Sequence, residues 1–386
     1  MRDLERLLAA KEIAVTCGSG GVGKTTTAAA LGVMMALRTE SRVLVLTVDP
    51  ARRLATALGL ESVGNRATRI APGVFAEAGI EPRGELHVAM LDTKQGWDDL
   101  INRHAPNDKV RQQILGNSIY ASISGRFVQS HDYIAAERLY DLHSSGDYDL
   151  IVIDTPPSRH ALDILDAPAH MTEFFGSRLL RWLTVPSRNR VLTVASKPFY
   201  QIADRILGSQ FLGDIVEFFS LLQQMEAGFL ERATAVDALL TDRRTTFVVV
   251  STLESAPLAE AEYFIEALAQ RKLHLGALVL NKVLPGQLAK PAMGKAATEL
   301  RRRASVLAAD LLEHVNKGAG RSADAIEKVL LAVADNGVNM QAAARREAEL
   351  RAELSVSPEV TVAVPHLDAD ITDLRSLSDL GHRLWR

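Results

Sequence analysis

The chain has 386 residues, 47% of them hydrophobic and 24% charged, with a formal net charge of −3. That balance describes a globular chain long enough to bury a large core, and the mild acidity excludes a general nucleic-acid grip, which needs a basic surface. A single cysteine, Cys17, excludes an internal disulfide framework and a cysteine-only metal cage within one chain.

The N-terminal MRDLERLLAAKE mixes charges into its apolar positions, unlike a signal peptide, and no apolar run reaches the roughly 18 to 20 residues of a membrane span. A cytoplasmic protein is expected. The first predicted strand, EIAVT (12–16), runs into GSGGVGKTTT, followed by the helical AAALGVMMAL. The spacing is that of a phosphate-cradling loop, G-x-x-x-x-G-K-[ST], over Gly18, Ser19, Gly20, Gly21, Val22, Gly23, Lys24, Thr25 and Thr26. Backbone N–H groups of such a turn face phosphate oxygens, and the helix N-terminus adds partial positive charge. Lys24, expected as an exposed loop lysine, would reach the outer phosphates of ATP or ADP, and the Thr25 hydroxyl would hold Mg²⁺.

The second predicted strand, RVLVLTV (42–48), ends at Asp49, where open α/β sheets place ligand chemistry. Asp49 would orient or deprotonate an attacking water, hold magnesium through water, or cap the helix that Pro50 opens. After LHVAML (86–91), a fourth strand, YDLIVID (148–154), has the form of a Walker B strand ending in Asp154. Asp154 would act on the magnesium shell or cap a turn. The Thr-Pro-Pro beyond it is a stiff turn suited to sensing the last phosphate.

A long gap then precedes TTFVVVST (245–252) and LGALVLN (275–281), and another precedes VTVAVP (360–365). The near-continuous apolar strands predict a doubly wound, mostly parallel α/β sheet with strands buried on both faces. The expected organisation is one P-loop domain over 1–386, with a helical insertion at 166–243 and a further helical segment at 286–358. Within the insertion, Phe211, Leu212, Ile215, Val216, Phe219, Leu222, Met225 and Phe229 form a broad apolar stripe, either subdomain core, dimer contact or a groove for a helical client. In the later segment, 299–315 and 340–354 read as charged helices, and KPAMGKAATELRRR (290–303) as a solvated basic face.

GSGGVGKTT, VDPARRL and DTPPSRHALDIL together resemble the phosphate loop and two switches of the arsenite-pump and tail-anchored-protein-targeting ATPase family. That family belongs to a dimeric class of P-loop ATPases that also holds nitrogenase iron protein. The resemblance extends through LVLNKVLP (278–285) to residue 381, nearly the whole chain. It implies an ATP-hydrolysing switch with ATP/ADP and Mg²⁺ as cofactors and a membrane-protein or helical client, peripheral to the membrane. It matches Asp49 to a water-orienting aspartate and Asn281 to an adenine-reading asparagine, with Pro365 opening the loop over the base. Family members usually carry a lysine at position 19 that reaches the partner's nucleotide in the closed dimer. Ser19 cannot supply it, so the homodimer is slow, or another cation such as Arg52 or Arg159 serves, or the chain pairs with a homologous subunit. With Cys17 alone, neither the family's interfacial zinc cysteines nor its arsenite-binding cysteines are present, and Cys17 reads as a small buried hydrophobe.

Overall fold

The computed structural model describes residues 3–48, 52–58, 60, 64–123, 130–156, 160–178, 180, 209–314, 322–354 and 358–385. Eight strands form one sheet: β1 (Ile13–Cys17), β2 (Arg42–Thr47), β3 (Thr68–Arg69), β4 (Glu85–Met90), β5 (Leu150–Asp154), β6 (Thr245–Ser251), β7 (Leu275–Val283) and β8 (Val360–Pro365). Their spatial order is β3-β4-β2-β5-β1-β6-β7-β8. Every pairing is parallel except β3 with β4. Seven of these strands are the predicted ones, shifted by a residue or two at their ends. The eighth, β3, is a two-residue polar edge, TR, with no apolar periodicity to betray it.

The apolar runs follow from burial on both faces. Ile13, Val15, Leu44, Leu46, Ile151, Ile153, Phe247 and Val249 point into one core. Alternate positions (Ala14, Val43, Val45, Leu150, Val152, Val248 and Val250) point into the other. Helix Lys24–Arg38, rich in the strong helix formers Ala, Leu and Met, buries a continuous stretch from Thr27 to Ala36 against the second core. Helix Leu374–Leu384 closes that core with Leu374, Leu377, Leu380, Leu384 and then Trp385.

The first core is covered by the helices of the predicted insertion and, in part, by helices that the sequence pattern left unread. Ser130–Ser144, between β4 and β5, packs against both Thr93–His104 and Glu226–Thr241. Arg232 ties Glu226–Thr241 to Ser130–Ser144: it donates to Glu137 Oε2 at 3.0 and 2.8 Å and to Asp141, while the Tyr133 hydroxyl donates to Glu137 Oε1 at 2.7 Å. On the predicted apolar stripe, Leu222, Met225 and Phe229 are buried in this core, and Ile215 and Phe219 pack against it partly buried. The side chains of Phe211 and Leu212 lie outside the described residues.

In the segment before β8, the predicted helix 299–315 is broken at Arg303 into Pro291–Arg302 and Ala304–His314. The predicted 340–354 is the end of one 31-residue helix, Ala323–Glu353. Pro291–Arg302 buries only Ala297, and its arginines make exposed ion pairs, Arg302 with Glu299 and Arg301 with Asp335. It is the solvated basic face expected from composition. Among the described residues, no helix is long and apolar enough to cross a membrane.

Candidate nucleotide site

The chain leaves β1, at the middle of the sheet, through residues 18–23 and enters helix Lys24–Arg38. β5 flanks β1 on one side and β6 on the other. Connections pass from β1 outward to β2 and β4, return to β5, then cross to β6, so the strand order reverses beside β1. Open α/β sheets bind ligands at the carboxyl ends of the strands at such a reversal.

Two glycines make the loop possible. Gly18 has φ +148°, and a Cβ there would stand 2.0 Å from the Val250 carbonyl oxygen. Gly23 caps the helix at φ 97°, and its Cβ would fall 2.4 Å from Asn281 Nδ2. Only glycine permits both the positive φ and the approach. Gly20 and Gly21 are exposed at the tip, while Val22 is buried beneath it.

Lys24 is 7% exposed, with Nζ donating to the Ser19 carbonyl at 3.4 Å. The expected exposed lysine is thus corrected: its stem is packed and its ammonium curls back over the loop. Thr25 and Thr26 follow, half-buried in the first helical turn. Ser19 is itself buried, and its hydroxyl has no hydrogen-bond partner among the described residues.

Asp154 ends β5 fully buried, in register with Thr16 of β1. Its Oδ2 accepts from the Thr47 hydroxyl at 3.1 Å, which links it to the end of β2. Asp49 and Arg159 lie outside the described residues, as does the side chain of Arg52, the first residue of helix Arg52–Ala57. Asn281 lies near the end of β7, where its Nδ2 donates to the Val22 carbonyl at 2.8 Å and its Oδ1 accepts from the Lys282 N–H at 2.9 Å. Pro365 closes β8 opposite Val283, whose carbonyl accepts from the His366 N–H at 3.0 Å. The structure therefore brings the loop, Asp154 and Asn281 together around one strand end. Cys17 is fully buried below the loop, and burial pushes its thiol well above the ordinary range, as for an inert core residue.

A loop with an unpartnered buried hydroxyl, a glycine cradle and a helix N-terminus fits a phosphate chain. A carboxylate and a threonine hydroxyl are hard oxygen donors that suit magnesium, not a thiolate metal.

The reversal point, the glycine-rich strand–loop–helix and the acidic strand end define a P-loop nucleotide triphosphatase of the doubly wound α/β class. A family model described as anion-transporting ATPase matches residues 11–306, and the chain belongs to that family. It is an ATPase. Among similar curated proteins is an ATPase ASNA1 homolog 1 of Paramecium tetraurelia, 27% identical over 272 residues, covering 69% of this chain and 73% of that one. An Aspergillus niger protein named ATPase get3 is 28% identical over 271 residues, covering 69% and 71%. An Entamoeba histolytica ATPase ASNA1 homolog is 24% identical over 275 residues, covering 69% and 75%. The family resemblance drawn from the three loop stretches is thereby borne out.

Lys282, adjacent to Asn281, is a residue that sequence reasoning passed over. It stands in the quoted LVLNKVLP, but its approach to the phosphate loop, 261 positions away in sequence, carries no local signal.

Proposed function

We propose that this chain binds ATP or ADP with Mg²⁺ in the 18–26 loop and works as a dimeric switch. In this reading its nucleotide cycle drives a client or a membrane partner from the cytoplasmic side. The observation that carries the reading is the buried Lys24 folded over a glycine cradle at the strand reversal, with Asp154 beside it. Bound magnesium would neutralise developing charge on the phosphates. Lys24 and the loop N–H groups hold the phosphates, and Thr25 and Asp154 supply oxygen ligands or orient water around the metal. Asp49 orients the attacking water, Asn281 reads the adenine edge, and Pro365 opens the loop over the base. Asn281 retains one amide hydrogen and one lone pair for that task after its two internal bonds.

The test uses the intact chain. Lys24→Met keeps the buried stem and removes the charge, so ATP affinity measured by calorimetry should collapse while the melting temperature changes little. Unchanged affinity would overturn the phosphate-loop assignment. Asp49→Asn should retain ATP binding and lose turnover, since it removes charge at the water only. Guanine nucleotides competing as well as ATP would overturn the role of Asn281.

A second reading is favoured by Ser19, whose short neutral side chain supplies no charge across a dimer. The chain would then be a nucleotide-binding regulatory subunit, weakly active alone and paired with an active homologue. Native mass measurement with ADP and a transition-state mimic separates the readings: a homodimer supports the first and a mixed complex the second.

A further inference from the structure

The pairing of β7 with β8 contains one irregularity. Leu280 sits opposite Ala363 and Val283 opposite Pro365, so two β7 residues, Asn281 and Lys282, face the single Val364. This is a β-bulge, a device that re-aims side chains at a strand end. Lys282 takes φ 58°, a left-handed conformation unusual for a side chain other than glycine. A glycine would adopt that backbone with less strain, and it would carry no charge.

The bulge turns both side chains onto the phosphate loop. Lys282 Nζ donates to the Gly21 carbonyl at 2.9 Å, and Asn281 Nδ2 donates to the Val22 carbonyl at 2.8 Å. In a trans peptide the C=O and the following N–H point in opposite directions. Tying back the carbonyls of Gly21 and Val22 therefore turns the N–H groups of Val22 and Gly23 to the other side of the loop. Consecutive N–H groups presented together form an anion-binding concavity. A cationic donor also polarises the peptide it holds, which strengthens the next N–H as a donor.

We propose that Lys282 is a positioning residue for nucleotide phosphate: its ammonium, delivered by the β7 bulge, locks the Gly21 carbonyl outward and adds positive charge to a loop that has serine at position 19. This rests on the reading of 18–26 as the phosphate loop. It assigns to a residue of the same chain part of the electrostatic support that Ser19 cannot give. Lys282 is exposed and sits at the rim, so it acts through the loop peptide.

The experiment compares Lys282→Met, Lys282→Gln and Lys282→Arg with the unmodified chain and with Lys24→Met. Calorimetry measures Mg·ATP, ADP and adenosine, with KM and kcat from steady-state turnover. None of the three changes at position 282 relieves or adds backbone constraint of the kind glycine would, so melting temperatures should stay within a few degrees. Losing a charge-assisted hydrogen bond should weaken ATP and ADP binding by about tenfold or more in Lys282→Met. Adenosine binding should not change, the loss should appear in KM more than in kcat, and Lys282→Arg should restore most of it. Lys282→Gln, a neutral donor, should fall between. Wild-type ATP affinity in Lys282→Met, or equal loss for ATP and adenosine, or failure of arginine to rescue, would each overturn the proposal. If Lys24→Met loses ATP while Lys282→Met does not, the inference fails and the phosphate loop stands. If Lys24→Met binds ATP normally, both fall together.

Discussion

Gly18 lies so close to β6 that a methyl group on its α-carbon would stand 2.0 Å from the carbonyl oxygen of Val250. That oxygen belongs to a buried central strand paired on both sides, so it cannot retreat. Gly18→Ala must instead lift the loop away from the sheet and strain a residue at φ +148°. Overpacking of this kind costs about 1–3 kcal/mol. The expected outcome is a matching loss in denaturant unfolding together with a loss of ATP affinity. Native affinity in the alanine variant would show that the loop does not need its seat on β6.

The Arg232–Glu137–Asp141 cluster joins helices from two separate stretches of sequence. The Glu137 side chain is 4% exposed and that of Arg232 16%, so removing the guanidinium strands a buried carboxylate. Breaking a buried pair by deleting one partner costs about 3–5 kcal/mol. Arg232→Met should lower unfolding free energy by that order in urea titration, and adding Glu137→Gln should recover much of it. Additive losses in the double variant would show that the two side chains do not interact energetically.

Glu347, on helix Ala323–Glu353, accepts from the Leu284 N–H just beyond the β7 bulge at 2.8 Å. Burial raises its carboxyl above the ordinary range, the Leu284 N–H pulls it down, and the neighbouring Glu254 charge pushes it up. Because the folded state holds this proton more tightly than the unfolded one, its contribution to stability is present at low pH. That contribution is lost as pH rises through the unfolded and then the folded titration. Glu347→Gln keeps an acceptor for Leu284 and removes the titration. Its melting temperature should exceed the unmodified chain's at pH 7, with the gap closing towards pH 4. A gap that widens on acidification would reverse the sign of this assignment.

The strands and the loop were legible because their signals are local. Runs such as LIVID and TTFVVVS are apolar on both faces, and G-x-x-x-x-G-K-T needs no distant partner to be read. The burial of Lys24 was not legible, since it depends on how its stem packs within the folded loop. Helix Ser130–Ser144 buries charged side chains, Asp132 and Glu137, and the partner of Glu137, Arg232, is 95 residues away. The bulge at Asn281–Lys282 depends on the register of β8, which no property of β7 encodes.

The remaining prediction concerns Ser19. Its side chain is buried, but the next two residues, Gly20 and Gly21, are exposed at the loop tip. A longer side chain at position 19 can therefore run its stem along the loop and place a charged head in solvent. In a dimer whose sites face each other, Ser19→Lys would present that head to the opposite nucleotide. Cationic groups on a transferring phosphoryl contribute about 10³–10⁵ in rate where they act as arginine fingers. A more modest gain, at least about tenfold in kcat, is expected from a lysine placed without the rest of a tuned interface. The rise should depend on protein concentration, because it needs two copies, whereas support from Lys282 acts within one chain and should not. Brisk turnover in the unmodified chain with no gain in Ser19→Lys would mean that the chain's own cations already suffice. The case for a mixed complex would then lose its motive.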